Sequence, residues 1–349
     1  MRILVFGDSF VSVDDFTQAF AEISKQHEVR YVRMDESLKA VPSTDSEKRI
    51  KEFLGTPRQV ISELRGEEIL VVHGAPVTEE VLAAAEGLKL LCCARGGPVN
   101  IDVQAATKRG IPVVTAPGKN ATAVAELAIA LMVMLSRNIK RASTHVEKER
   151  IVSKDNYEGA QFLGHELEGK SLGLVGYGRV GSRVAKRAVA FGMSVLVYDP
   201  YVPSSAIEAP GIKTTDLDTL LKTSDYVSFH ARESKENENL MGAKQFQLMK
   251  KGAYFINTAR PSMVDEDALL SALREGRLAG AAMDIVRFLP HRPESPFIDL
   301  DNVIVMPHIG GATYETTTKG AFIVAAQVQR YLSGQNLETL INPEVVRTA

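Results

Sequence analysis

Short apolar runs alternate along this chain with longer segments of helical periodicity, beginning at the first residue. A run too short for a helix and closed by glycine or polar residues reads as a buried strand; apolar positions three or four apart read as a helix. Strands are therefore expected at residues 2–6, 28–32, 68–72, 88–94 and 113–115, with helical periodicity over 14–24 and a helix at 78–85 capped by Thr78. Residues 35–58 are polar and broken by Pro and Gly, which predicts a surface loop with a short helix. Residues 121–136, ATAVAELAIALMVMLS, carry Glu126 as their only charge. A helix apolar on all sides must be buried, which places it where domains or subunits meet. A more polar helix at 138–149 and a glycine-containing linker at 151–170 follow it. Strands are expected again at 171–176, 194–198, 225–229, 253–257, 279–283 and 303–305, with helices between most of them. An amphipathic helix at 314–332 ends before Gly334 and is expected to return to the first domain. This alternation predicts an α/β protein with two doubly wound parallel-sheet domains.

Charge narrows the class of partner. Lysine and arginine total 41 against 43 aspartates and glutamates, so no bulk field draws the chain to nucleic acid or an anionic membrane, and neither is an expected partner. No apolar run reaches membrane-spanning length, and MRILVFGDSF lacks the basic-apolar-small order of a signal peptide, so a cytoplasmic protein is expected. The only cysteines, Cys92 and Cys93, are adjacent inside an apolar run; they read as strand residues and no metal site is expected.

The stretch over residues 171–199, SLGLVGYGRVGSRVAKRAVAFGMSVLVYD, organises the rest. A strand leads into Gly176, Gly178 and Gly181 at G-x-G-x-x-G spacing. The first glycine permits a tight turn, the second lets backbone approach a pyrophosphate, and the third lets the next helix pack close on the strand. Val180, Val184, Ala188 and Phe191 carry that helix, whose N-terminal amides and dipole face the phosphates. The next strand ends in Asp199, a carboxylate suited to the 2'- and 3'-hydroxyls of an adenosine ribose and repulsive to a 2'-phosphate. The pattern points to a dinucleotide, and to NAD over NADP. A different motif, Gly7-Asp8-Ser9-Phe10, resembles the nucleophile block of GDSL-type serine esterases; no Asp-x-x-His stands near the C-terminus, so Ser9 lacks a base and the turn reads as structural.

Three polar blocks follow strands of the nucleotide domain, at the edge where open α/β sheets bind ligands. They are Asn257-Thr258-Ala259-Arg260-Pro261, Asp284, and Pro307-His308-Ile309-Gly310-Gly311. An arginine there suits bidentate capture of a 2-oxo acid, and an imidazole suits transfer of a hydroxyl proton. With these blocks the sequence resembles the D-isomer-specific 2-hydroxyacid dehydrogenase family, which includes phosphoglycerate dehydrogenases and glyoxylate/hydroxypyruvate reductases. The marks are GYGRVG with YDP, FINTARPSMVDEDALLSALREGRLAGAAMD, NVIVMPHIGGAT, and NIDVQAATKRGIPVVTAPGKNATAVAEL, so the likeness spans nearly the whole chain.

The resemblance implies a Rossmann NAD-binding domain, residues 119–311, inserted in a flavodoxin-like substrate domain, residues 1–118 and 312–349. It makes Arg260 the substrate-orienting and polarising group and His308 the acid/base. The amides of Gly96 and Gly97 are expected to hold the substrate carboxylate, with Asn120 nearby. Arg179 and Val180 join Gly176, Gly178, Gly181 and Asp199 on the cofactor; Asp284 is expected at the nicotinamide carboxamide, and Thr258 and His230 line the cofactor's surroundings, His230 as a wall of the adenine pocket. His73 is ambiguous between lining and structure. A homodimer through the nucleotide domains is the implied assembly.

Two departures stand out. The family follows its aspartate with a phrase like VFxxEP, whose glutamate pairs with the histidine; here Leu289 occupies that place, with His291 and Glu294 as candidate replacements. Losing a carboxylate partner leaves the imidazole more readily neutral. In the substrate loop, Arg95 precedes Gly96-Gly97; it suits a second anionic group on the substrate or, alternatively, a salt bridge across its own domain. The reading is an NAD-dependent oxidoreductase moving hydride between nicotinamide and a D-2-hydroxy or 2-oxo acid. The alternatives are an NAD-binding sensor with little turnover and a formate-dehydrogenase-like enzyme, in which no proton is shuttled.

Overall fold

The computed structural model describes residues 1–37, 44–150, 157–287 and 295–346. The chain divides into two compact units: Met1–Asn120 with Ala312–Ala349, and Ala121–Gly311. Each is an α/β unit built on one parallel sheet.

In the first unit, β1 (Arg2–Gly7), β2 (Glu28–Arg33), β3 (Ile69–Val72), β4 (Leu90–Cys93) and β5 (Val113–Thr115) stand in the order β2-β1-β3-β4-β5. Parallel strands are covered on both faces, which is why they read as near-continuous apolar runs. Alternate residues serve opposite layers: Leu4, Phe6, Leu70 and Val72 face one core, and Ile3, Val5, Ile69 and Val71 the other, with Phe16, Phe20, Val324 and Val328. Those last two belong to helix Tyr314–Leu332, which packs on β4 and β5.

The expected helix over 14–24 is broken. Ser12 and Asp15 form a capping box for Val13–Ala19, and a separate 3-10 turn covers Ile23–Lys25. Phe16, Phe20 and Ile23 are buried all the same, so one apolar stripe is met by two pieces of chain. Helix Val103–Lys108, capped by Asp102, went unexpected because six residues are too few to establish a period. The short helix anticipated within 35–58 is a 3-10 turn at Glu47–Arg49, and a further helix, Pro57–Glu63, begins after Thr56 with proline at its first turn.

In the second unit, β6 (Ser171–Val175), β7 (Ser194–Tyr198), β8 (Ile212–Thr214), β9 (Tyr226–Phe229), β10 (Ala253–Asn257), β11 (Leu278–Met283) and β12 (Val303–Val305) form a sheet in the order β12-β11-β10-β9-β6-β7-β8. Strand β8 was not anticipated, since Ile212 is its single buried residue. Helix Ala121–Ser136 lies on β10, β11 and helix Gly181–Ala190, burying Ala125, Ala128, Leu131, Met132 and Leu135, while Glu126 reaches Arg187 at 3.1 Å. The opposite face carries Leu220, Phe246, Leu269 and Leu273 against Val227, Phe229 and Phe255. Among the described residues no single helix is long and apolar enough to cross a membrane.

Candidate active site

Because the seven strands of the second unit are parallel, all their C-terminal ends lie on one edge, the edge at which such sheets bind ligands. His308 follows β12, Asp284 follows β11, Thr258 and Arg260 follow β10, His230 follows β9, the glycine loop follows β6, and Asp199 follows β7. The strands leading to His308 and Arg260 are two apart in the sheet, about 10 Å at the usual strand spacing.

The three glycines do different work. Gly176 has φ +98°, and a β-carbon there would lie 2.5 Å from the Ala231 amide nitrogen, so the turn needs both the left-handed backbone and the empty side chain. A β-carbon on Gly181 would lie 2.1 Å from the Gly176 carbonyl oxygen, which is the close packing of helix on strand. Around Gly178 there is open space, where a phosphate can meet backbone. Val180 offers no side-chain cap to helix Gly181–Ala190, which leaves that end to an anion. Arg179 beside it is exposed. Asp199 accepts from the Tyr177 amide at 2.7 Å and the Tyr201 amide at 2.9 Å, one bond per oxygen. A carboxylate has about four acceptor sites, so it retains capacity for ribose hydroxyls. These features fit a dinucleotide.

His230 sits 2.9 Å from Ser228 Oγ through Nε2 and 3.5 Å from Thr258 Oγ1 through Nδ1. Its ring is only partly open to solvent, and burial pushes its pKa down to about 3. A neutral imidazole of that kind suits a wall against an uncharged base.

Asn257, almost fully buried, fastens the turn that carries Arg260: its Oδ1 accepts from the Ala259 amide at 3.0 Å and its Nδ2 donates to the Arg260 carbonyl at 3.1 Å. Arg260 itself is half-buried; Nη1 donates to the Ala259 carbonyl at 2.8 Å, and among the described residues no carboxylate pairs with it. Its remaining donors are free to grip a carboxylate.

Asp284 does more than its sequence position disclosed. Its Oδ1 accepts from the Ile309 amide at 2.8 Å, its Oδ2 from the Gly310 amide at 2.9 Å, and its carbonyl oxygen from the His308 amide at 2.8 Å. Three consecutive amides around the exposed imidazole thus hang on one buried residue. His308 has φ +57°, a left-handed conformation uncommon outside glycine, and the Asp284 bonds hold it there. Leu289, His291 and Glu294, the residues of the departure from the family phrase, lie outside the described residues.

The first unit presents its own edge. Gly96 and Gly97 follow β4 exposed and unobstructed, the nearest atom to either added β-carbon being the Ala116 carbonyl oxygen at 3.9 Å. Asn100, fully buried, ties the segment after them to the His73 and Ala75 carbonyls at 3.1 and 2.7 Å. Arg95, a candidate for a second substrate anion, is instead held by Glu52, at 2.5 Å to Oε2 and 2.8 Å to its carbonyl oxygen. Asn120 closes the unit, half-buried. His73 is structural in its contacts: Nδ1 lies 2.9 Å from Asp8, whose carboxylate also accepts amides of Phe10, Val11 and Gly74. Ser9 Oγ donates to Glu36, not to an imidazole, so nothing there activates it. Lys119, which follows β5, has no mark in the sequence, where a cation after Pro117-Gly118 is ordinary; only the fold shows it half-buried.

Comparison with known proteins points to one family and fold. Residues 129–310 match the model of the D-isomer specific 2-hydroxyacid dehydrogenase, NAD binding domain. A D-3-phosphoglycerate dehydrogenase of Methanocaldococcus jannaschii is 38% identical over 82% of the chain, and the chain spans 54% of that relative, about half its length. A glyoxylate reductase of Thermococcus litoralis is 39% identical over 78% of the chain and 82% of its own length. The solved D-lactate dehydrogenase of Aquifex aeolicus, complexed with NAD and lactic acid, superposes with a TM-score of 0.72 at 27% identity, covering 99% of this chain and 98% of that one.

Proposed function

Since the chain belongs to the D-isomer specific 2-hydroxyacid dehydrogenase family, we propose that it oxidises D-2-hydroxy acids, or reduces the matching 2-oxo acids, with NAD. The observation that carries this reading is the single sheet edge on which the glycine loop, Asp199, Arg260, Asp284 and His308 all stand.

NAD, when bound, accepts or returns the hydride at C2 of the acid. The open backbone at Gly178 and the uncapped helix end after it bind the pyrophosphate, and Asp199 orients the adenosine ribose. Arg260 holds the acid by carboxylate and C2 oxygen, polarising the carbonyl in the reductive direction. His308 takes the C2 hydroxyl proton during oxidation and supplies it during reduction. Gly96 and Gly97 offer unobstructed amides for the substrate carboxylate, and Asn120 is the further substrate ligand in this reading.

The exposed and half-buried positions of helix Ala121–Ser136, among them Leu127, Ala130 and Met134, suit a homodimer, which light scattering on the purified chain would test. For the activity, NADH formation is measured against D- and L-2-hydroxy acids and formate. Turnover of a D-2-hydroxy acid is expected, with Arg260→Ala and His308→Ala each lowering kcat about 100-fold or more. Turnover of formate alone, or NAD binding without turnover of any acid, would replace this reading.

A further inference from the structure

Lys119 is the charged group at the first unit's sheet edge that nothing else in that unit explains. It follows β5, as His73 follows β3 and Arg95 follows β4, so the parallel topology brings the three together with Asp8 at the end of β1. Its side chain is half-buried. A β-carbon on Gly320, in helix Tyr314–Leu332, would lie 3.0 Å from Lys119 Cδ and 3.3 Å from Nζ, so the lysine is seated on the helix where the helix has no side chain. Among the described residues no carboxylate lies within ion-pair distance of Nζ and no hydrogen bond is made by it.

The neighbouring charges do not answer for it. Arg95 is a second cation, already held by Glu52. Asp8 is the nearest source of negative charge, but its two oxygens already accept three backbone amides and the His73 ring. Cys93 is fully buried, and burial pushes its thiol up to about 11, so it carries no charge at neutral pH. Burial of Lys119, with Arg95 adding to it against Cys93 and Asp8, pushes its pKa down to about 8. A half-buried ammonium with no anionic partner is unfavourable, and burial of that kind favours the neutral amine unless an anion offsets it. The site is completed by an anion that the chain itself does not supply.

We propose that Lys119 is the ligand for a second anionic group, a distal carboxylate or phosphate, on a dianionic 2-oxo or 2-hydroxy acid substrate. This rests on the oxidoreductase reading given above. On that reading the first carboxylate already has ligands in the Gly96 and Gly97 amides; a further half-buried cation in the same unit is surplus for a monoanionic acid and matched by a dianionic one. The role suggested for Arg95 by its sequence position passes to Lys119.

The test compares kcat/KM of the full chain with NADH on glyoxylate, 2-oxoglutarate and phosphohydroxypyruvate for wild type, Lys119→Met and Lys119→Arg. Wild type is expected to prefer one of the dianions, and which one separates carboxylate from phosphate. Lys119→Met should lower the ratio of that dianion to glyoxylate about tenfold or more, the loss of one charge-assisted bond, and Lys119→Arg should restore part of it. An unchanged ratio, or a wild type that favours glyoxylate, overturns the proposal. If wild type reduces no 2-oxo acid, the oxidoreductase reading fails instead, and calorimetric titration with malonate and inorganic phosphate decides about Lys119. Binding at least about tenfold weaker in Lys119→Met upholds an anion site, and equal or absent binding removes it. Equal NADH affinity in all three proteins confirms that the variants are folded.

Discussion

At the scale of single residues, Asp284 and His308 show how a sequence position understates a contact. Asp284 directly after a strand is readable as a ligand for something at the sheet edge; that its carboxylate takes the two amides after the histidine is visible only once the loop is closed upon it. Asp284→Asn would turn an amide NH2 toward one of those donors and remove a charge-assisted bond worth about 1.5–3 kcal/mol. If the residue acts by positioning His308, kcat falls about tenfold or more while the NADH dissociation constant stays within about threefold. If it acts on the nicotinamide carboxamide, NADH affinity falls with kcat, so a fluorescence titration beside the kinetics tells the two apart. Arg260 and His308 were legible because a polar block after an apolar strand is conspicuous. Lys119 and Asn257 were not, since Lys119 is distinguished by its seat against Gly320, remote in sequence, and Asn257 by burial and by the bonds it makes once its turn is folded.

At the scale of elements, the strand-glycine-helix unit over residues 171–199 is legible because each glycine meets a separate local requirement of backbone or space; of the apolar positions expected to carry its helix, Val184 and Ala188 do so, while Val180 and Phe191 cap its two ends and Phe191 is exposed. The structure sorts those requirements into two kinds, and substitution separates them. Gly181→Ala brings a β-carbon onto the Gly176 carbonyl oxygen and forces helix from strand, so it is expected to cost about 1–3 kcal/mol of unfolding free energy in urea. Gly178→Ala meets nothing of the protein within 4 Å, so stability should hold within about 0.5–1 kcal/mol while NAD affinity falls tenfold or more. An equal loss of stability in both variants would mean that Gly178 is also structural. The elements the sequence did not disclose, among them Pro57–Glu63, Val103–Lys108 and β8, are short and bury few side chains, so their apolar pattern never completes a period. The interruption at Phe20 is invisible for the opposite reason: the apolar spacing continues through it although the helix does not.

At the scale of the whole molecule, each unit contains a histidine kept neutral by its surroundings, and this fixes the sign of the response to acid. Burial lowers the pKa of His73 below its usual range despite the Asp8 partner, and burial drives His230 down to about 3. In the unfolded chain both rings bind a proton near pH 6.5. Between that value and the lower folded pKa the unfolded state holds more protons than the native state, so stability falls as pH falls, and it is undiminished by these groups above about pH 7.5. Asp8 acts in the same direction at lower pH: burial opposes its ionisation, but the His73 hydrogen bond and the Val11 and Phe10 amides outweigh it and hold it below the usual carboxylate range. Its contribution is present above the unfolded pKa near 3.8 and lost as pH falls through the folded value. Each histidine contributes a slope of at most about 1.4 kcal/mol per pH unit. Urea unfolding between pH 7.5 and 5 should therefore show declining stability for wild type and a shallower decline for both His73→Gln and His230→Gln, whatever their starting stabilities. The lost hydrogen bonds lower the intercept, but only the removal of a titrating ring changes the slope. Slopes indistinguishable from wild type in both variants would mean that the rings take up protons in the folded chain at ordinary pH, and that neither is the neutral group its burial requires.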